Sequence, residues 1–253
     1  MRTLAIVILA FLARPAAAAE ITVAAASDLT FALTEIASQF EKETGNSVRL
    51  TFGSSGNLAA QIQNGAPFDV FFSADIDYPR RLEARRLVDS QSLFLYATGK
   101  IVLWAARGSP INVQRGMDAL LDPAVRKIAI ANPAHAPYGH AAAAALRHFK
   151  IYERVQKKLV FGENISQAAL FVESGNADIG IIALSIALAP TMKDMGSFWE
   201  VPQSAYPPLQ QAAVIVSNSR QKKLAEAFLA YVRMPQGLAT LERYGFSRPG
   251  EKP

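Results

Sequence analysis

Apolar residues in the first third of the chain follow two patterns, short runs typical of strands and recurrences at helical spacing. The longest helical pattern runs from Leu29 to Phe40, and Gly45 ends it. The resulting β-α-β-α-β-α order predicts a mostly parallel sheet with helices on both faces. The predicted strands are 21–25, 48–52 and 69–72, and the predicted helices are 29–40, 58–65 and 79–87.

A second β-α series follows a long apolar stretch at 93–106, which is broken at 98–100. Two α/β halves joined by strands, without a flexible linker, predict a two-lobed α/β protein with a cleft. We place the first lobe at residues 20–100 and 209–253 and the second lobe at 101–208. The further predicted strands are 127–131, 158–161, 178–182 and 211–216, and the further predicted helices are 139–149, 166–173, 220–232 and 235–244.

Residues 1–19 have the order of a secretory signal peptide. Arg2 precedes an apolar segment at 4–13, and Ala17 and Ala19 fit a small-residue cleavage site. The segment is too short to span a bilayer, and the chain has no cysteine for lipid attachment, a disulfide or a thiol catalyst. We therefore expect a mature protein that starts at Glu20 and is free in the periplasm.

The formal net charge of +5 falls to +3 when Arg2 and Arg14 are removed with the signal peptide. The remaining basic residues are scattered along predicted helices, whereas a nucleic-acid groove needs a dense basic stripe with interleaved aromatic residues. We expect no nucleic-acid partner. No later stretch approaches 18 consecutive apolar residues, so the sequence predicts no transmembrane helix.

Four strand-to-helix junctions carry the candidate chemistry. Each places unbonded backbone N–H groups at the positive end of a helix dipole, and the hydroxyls of Ser27, Ser55 and Tyr138 add neutral donors. One such junction is more often ordinary capping or turn chemistry. Four junctions spread over both lobes favour an anion site without lysine or arginine. The junctions are 25–29, 53–57, 132–139 and 163–166.

Five motifs together resemble the periplasmic molybdate-binding proteins of ABC importers, over residues 21–246. The resemblance implies a type II periplasmic binding protein that closes on molybdate or tungstate and delivers the anion to an inner-membrane permease. It implies no enzymatic step, no cofactor beyond the ligand itself, and a monomer. The motifs are AAASDLTFAL, FGSSGNLAAQIQNGAPFDVFFSAD, ATGKIVLWAA, IAIANPAHAPYGHAA and LERYGF.

The resemblance also assigns ligand groups. Ser27 and Ser55 match hydroxyl donors, and Ile165 matches a position that donates its backbone N–H. Many members carry a tyrosine donor where this chain has Ala183. Tyr138, in an APYG motif, would replace that donor from the neighbouring junction.

The glycines and polar residues around Ser55 are given separate roles. Gly53 and Gly56 would let the backbone approach the anion closely. Ser54 and Asn57 are interpreted as turn and cap residues.

Asp28 is the one acidic residue in the expected ligand set. We favour the interpretation that its side chain caps the first helix and only its N–H faces the ligand. The alternative is a carboxylate that accepts the proton of a ligand such as hydrogen phosphate. That alternative keeps phosphate and sulfate open as ligands.

The sequence disfavours two other classes of protein. A phosphate or sulfate ester hydrolase would need an activated nucleophile, and Ser55 has no identifiable base. A ligand-sensing regulator is disfavoured by the signal peptide and the lack of a DNA-binding segment.

His135 and the Asp75–Asp77 pair lack the partners that a zinc or calcium site requires.

Overall fold

The computed structural model describes residues 18–250, so the signal-peptide prediction lies outside the described residues apart from Ala18 and Ala19. The strands are β1 (Glu20–Ala26), β2 (Ser47–Gly53), β3 (Val70–Ser73), β4 (Phe94–Gly99), β5 (Ile101–Ala106), β6 (Ile128–Ala131), β7 (Leu159–Gly162), β8 (Ile179–Ala183), β9 (Gly196–Glu200) and β10 (Leu209–Ile215). The α-helices are α1 (Thr30–Thr44), α2 (Ser55–Gln63), α3 (Asp77–Ala84), α4 (Pro137–His148), α5 (Tyr152–Val155), α6 (Ile165–Glu173), α7 (Leu184–Ala187), α8 (Lys222–Arg233) and α9 (Pro235–Arg243).

Two five-stranded sheets form the centres of two lobes. The first has the order β2-β1-β3-β10-β4 and the second the order β7-β6-β8-β5-β9. In each sheet one strand runs against the other four, β10 in the first and β5 in the second. The predicted fold class, mostly parallel sheets flanked by helices, is confirmed.

The chain passes between the lobes at neighbouring points. Lys100 alone separates β4 of the first sheet from β5 of the second. Chain segment 201–208 returns from β9 to β10, whose first residue, Leu209, pairs with Gly99. Both reversed strands therefore lie at the passage between the lobes.

The C-terminal helices complete the first lobe. Phe228 of α8 packs edge-on against Phe40 of α1 and Phe72 of β3, with ring centroids 5.2 and 6.1 Å apart. All three rings are buried. Burial of apolar area on this scale is the main favourable contribution to folding, so residues distant in sequence hold one lobe together.

Some boundaries differ from the sequence prediction. Helix α3 ends at Ala84 rather than at residue 87, because Arg86 adopts a left-handed backbone conformation with φ 59°. Strand β9 was not predicted, since its short segment GSFWE is half-exposed at a sheet edge and lacks a clear apolar pattern. Within residues 18–250, no helix combines the length and apolar character needed to cross a membrane.

Candidate functional site

A small cavity lies between the lobes, where helices from both begin. It contains residues from all four strand-to-helix junctions, together with Ala74. The structure brings all five predicted site residues to this one cavity, although their role as ligand groups stays a prediction. The lining residues are Ala26, Ser27, Asp28, Gly53, Ser54, Ser55, Ala74, Ala136, Pro137, Tyr138 and Ile165.

The first junction joins the two lobes through Ser27. Its carbonyl accepts hydrogen bonds from the hydroxyls of Thr30, at 2.7 Å, and of Ser166 in α6, at 2.9 Å. Its own hydroxyl oxygen has one long contact, 3.5 Å from the N–H of Ser166. The main chain of Ser27 is thus fixed, while its hydroxyl proton can be donated to a ligand in the cavity.

The second junction sets up Ser55 as a donor. Ser54 caps α2 by accepting the N–H of Asn57, as the sequence predicts for a cap residue. Ser55 is fully buried, and its hydroxyl oxygen accepts the N–H of Ala74 at 3.0 Å. Because that contact uses an oxygen lone pair, the hydroxyl proton is left for a ligand, as is the amide at the first position of the helix.

The prediction that Gly56 lets the backbone approach the anion is wrong. Its N–H donates to the carbonyl of His135 in the other lobe, at 2.9 Å. A Cβ at Gly56 would lie 2.6 Å from that carbonyl oxygen. The glycine is therefore required where the lobes meet. Gly53 does line the cavity.

The third and fourth junctions direct helix N-termini into the cavity. Helix α4 begins with Pro137, a residue suited to the first helical position, and Tyr138 follows. Helix α6 begins at Ile165, and Asn164 caps it by accepting the N–H of Gln167 at 3.0 Å. The amides of Tyr138 and Ile165 have no partner within their own helices, so they can donate to an anion.

Asp28 does not cap a helix, so the favoured interpretation of its side chain is wrong. The residue is 1% exposed, and its Oδ2 accepts the hydroxyl of Tyr138 at 2.9 Å and the side-chain amide of Gln211 at 2.5 Å. Its Oδ1 is buried and has no hydrogen-bond partner within the described residues. Burial raises the pKa of Asp28 to about 6, against the lowering effect of the bonds from Gln211 and Tyr138.

The hydroxyl of Tyr138 is directed at Asp28. Burial and the neighbouring carboxylate hold the pKa of Tyr138 well above its ordinary value, so the phenol stays protonated and donates. Ala183 stands where many family members carry a tyrosine donor, and it is buried at the end of β8. Whether Tyr138 replaces that donor for a ligand stays a prediction.

Gln211 is a site residue that the sequence did not single out. It is fully buried in β10, and its Oε1 accepts the hydroxyl of Tyr96 at 2.6 Å. This contact turns its NH₂ group towards Asp28. The only signal in the sequence was an amide side chain at the start of a predicted apolar strand.

Direct contacts between the lobes close the cleft beside the cavity. We call Ser54, Gly56, Asn57, His135 and Glu163 the cleft-mouth cluster. His135 Nδ1 lies 2.9 Å from the Ser54 hydroxyl and its Nε2 lies 3.8 Å from Glu163, whose carboxylate also accepts the side-chain amide of Asn57. The structure is therefore that of a closed cleft.

The charge of the cavity is set by dipoles and by Asp28. None of the residues that line it is lysine, arginine or histidine. Across residues 18–250, no group of three or more histidine, aspartate or glutamate side chains is arranged to hold a metal ion. The arrangement can bind an anion through neutral donors.

The family model described as bacterial extracellular solute-binding protein matches residues 21–247. The chain belongs to this family. Among similar proteins, the molybdate-binding protein ModA of Azotobacter vinelandii is 41% identical over 93% of this chain and 92% of its own length. ModA of Rhodobacter capsulatus is 39% identical over 93% of this chain and 91% of its own length. The resemblance inferred from the motifs is thus confirmed.

Solved structures agree with the fold. The Azotobacter vinelandii periplasmic molybdate-binding protein superimposes with a TM-score of 0.86 at 36% identity, covering 90% of this chain and 99% of that one. The sulfate-binding protein SubI from Mycobacterium tuberculosis gives a TM-score of 0.76 at 17% identity, covering 92% of this chain and 88% of that one. The second likeness concerns the fold alone.

Proposed function

We propose that this chain is the periplasmic binding component of an ABC importer, and that it captures molybdate, and tungstate with it, for delivery to a membrane permease. The single observation that carries the proposal is the convergence of four helix starts from two lobes on one cavity. The chain that builds this cavity is 41% identical to a protein named for molybdate binding.

Binding would rest on neutral, preorganised donors. The amides of Ser55, Tyr138 and Ile165 stand at helix N-termini, whose dipoles favour a negative charge. The hydroxyls of Ser27 and Ser55 add two further donors. These groups are already ordered in the closed cleft, so little reorganisation is needed when the anion takes the place of water.

Capture and release would depend on opening of the cleft. The two passages of the chain between the lobes are neighbours, which suits a hinge at residues 99–100 and 209–210. Opening would break the cleft-mouth cluster and expose the anion to a permease. We expect a monomeric receptor that changes no covalent bond in its ligand.

The test is calorimetric titration of the ligand-stripped mature protein with molybdate, tungstate, sulfate and phosphate at neutral pH. The proposal expects tight one-to-one binding of molybdate and tungstate with little heat from sulfate or phosphate. Binding of sulfate or phosphate with no response to molybdate would contradict it. A parallel assay with a chromogenic phosphate or sulfate ester should show no turnover, since turnover would support a hydrolase instead.

Ser27→Ala tests the site itself. Hydrogen bonds to charged groups contribute about 1.5–3 kcal/mol, so molybdate affinity should fall about tenfold to hundredfold. The melting temperature of the ligand-free protein should change little, because the main-chain carbonyl of Ser27 makes the closest contacts at this junction.

The matched control is Ser197→Ala, at an exposed position of edge strand β9. It should keep the affinity of the unmodified protein. Equal affinities of the two variants would remove Ser27 from the ligand set.

A further inference from the structure

A buried carboxyl group sits inside a cavity that otherwise collects donors for an anion. Asp28 lines the cavity and is 1% exposed, and one of its two oxygens has no hydrogen-bond partner within the described residues. An ionised carboxylate without a cation or a full set of donors is costly to bury. The donor function proposed for its neighbours therefore does not account for a carboxyl group at this position.

The groups packed around Asp28 are neutral. Tyr138 from α4 and Gln211 from β10 donate to its Oδ2, and Ser185 of α7 donates to its main-chain carbonyl at 2.7 Å. Tyr96 of β4 and Tyr206 are the other titratable groups nearby, and burial raises the pKa of both phenols. No lysine, arginine or histidine of the described chain is hydrogen-bonded or ion-paired to Asp28.

A dianion in the cavity would meet this carboxylate at close range. Like charges repel strongly in a site from which water is excluded, and nothing among these neighbours offsets the repulsion. Protonation of the Asp28 carboxylate removes this repulsion. Oδ2 already accepts two hydrogen bonds, whereas Oδ1 accepts none, so a proton on Oδ1 turns the unpartnered acceptor into a donor.

We propose that capture of each oxyanion dianion takes up one proton, which Asp28 holds while the anion is bound. This inference rests on the proposed function. The reaction is balanced: the carboxylate, one proton from solvent and the dianion give a neutral carboxylic acid beside the bound dianion. No covalent bond of the ligand changes. Asp28 is therefore neutral while a fully deprotonated anion is bound.

Proton uptake makes binding depend on pH in a defined direction. Burial raises the pKa of Asp28 to about 6, so near pH 8 the protein without bound anion carries an ionised Asp28. Molybdate affinity should fall about tenfold for each pH unit from pH 7 to 9, since one proton is bound per anion. Below pH 5 the carboxyl is already protonated, so Asp28 should contribute no further pH dependence to the affinity.

The experiment is calorimetric titration with sodium molybdate at pH 8 in several buffers of different ionisation enthalpy. The slope of the observed enthalpy against the buffer enthalpy counts the protons taken up. We expect a slope of one for the unmodified protein and near zero for Asp28→Asn, whose amide is neutral at every pH. The matched control, Asp75→Asn, changes a half-buried carboxyl outside the cavity lining and should keep a slope of one.

The possible outcomes separate the two proposals. Tight molybdate binding with a slope of zero in the unmodified protein overturns proton uptake and leaves the proposed function intact. A slope of one that persists in Asp28→Asn assigns the proton to another group and overturns the role of Asp28. Absence of molybdate binding removes the proposed function. If Asp28→Asn does not fold, the slope of the unmodified protein and its pH profile still decide.

Discussion

At the scale of single residues, Asp28 is the position where local chemistry and global packing conflict. The residue follows a buried strand, in a turn where an aspartate commonly caps a helix. Packing of β10 and α4 instead brings Gln211 and Tyr138 to its carboxylate. Burial dominates over these two bonds and raises the pKa of the carboxyl to about 6.

The raised pKa predicts how stability depends on pH in the ligand-free protein. The folded state holds the proton up to about pH 6, whereas an ordinary aspartate releases it near 3.8. Stability from this group is therefore fully present below pH 4 and is lost as the pH rises to 6. The difference corresponds to roughly 3 kcal/mol. Asp28→Asn should be more stable than the unmodified protein at pH 7.5, by up to that amount, and nearly equal at pH 4.

Denaturant unfolding at the two pH values measures this difference. Asp178→Asn is a control with the opposite expected effect on stability, because the pKa of Asp178 is lowered rather than raised. Partial burial acts to raise the pKa of Asp178, but the N–H groups of Lys127 and Arg126 prevail and lower it. That variant should lose stability at pH 7.5. A loss of stability for Asp28→Asn at pH 7.5 alone would contradict the assignment of an uncompensated buried charge.

At the scale of elements, the site depends on where helices begin. Helix α6 has reciprocal bonds at its start, because Asn164 accepts the N–H of Gln167 and the Gln167 side chain accepts the N–H of Glu163 at 2.6 Å. This arrangement is close to a capping box. Helix α4 begins tightly against β6, since a Cβ at Gly139 would lie 2.2 Å from the carbonyl oxygen of Ala131.

Asn164→Ala tests whether the cap serves the site as well as the helix. Loss of a cap costs about 1 kcal/mol, so the free energy of unfolding should fall by about that amount. The amide of Ile165, the next residue, should be less well ordered, and molybdate affinity should fall several-fold. Asn176→Ala, at an exposed position just after α6, is the control and should change neither value. An unchanged molybdate affinity in Asn164→Ala would show that this cap stabilises helix α6 without contributing to ligand binding.

At the scale of the whole molecule, the closed cleft depends on close approach of the two lobes at Gly56. The N–H of Gly56 donates to His135 across the cleft, and the space for a side chain at Gly56 is filled by the backbone of His135. Gly56 lies in the first turn of α2, where alanine is a good helix former. An added methyl group therefore conflicts with closure and not with the fold of the first lobe.

Gly56→Ala should accordingly weaken molybdate binding and leave the melting temperature of the ligand-free protein unchanged or slightly higher. Overpacking of this kind costs about 1–3 kcal/mol, which predicts an affinity loss of about fivefold or more. Small-angle scattering with saturating molybdate should show incomplete compaction. Gln61→Ala, at an exposed position of the same helix, should behave like the unmodified protein. Full compaction and unchanged affinity in Gly56→Ala would show that closure does not require this contact.

The sequence by itself determined the strands and helices with strong apolar periodicity, the α/β class and the five residues that meet at the cavity. Those features are local: a buried strand, a helix start and a turn each leave a pattern within a few residues. Ser27 and Ser55 could be named because each stands at such a junction and within a motif of the family. Ile165 could be named because its junction matches a family position that donates its backbone N–H.

Only the tertiary structure decided which side chains from distant elements meet at the cavity and the cleft. Gln211 follows Asp28 by 183 positions, and His135 follows Ser54 by 81, so no local pattern relates them. The roles of Asp28 and Gly56 were misjudged for the same reason. Their neighbours come from other elements. Burial among those neighbours determines the protonation of Asp28 and leaves no room for a side chain at Gly56.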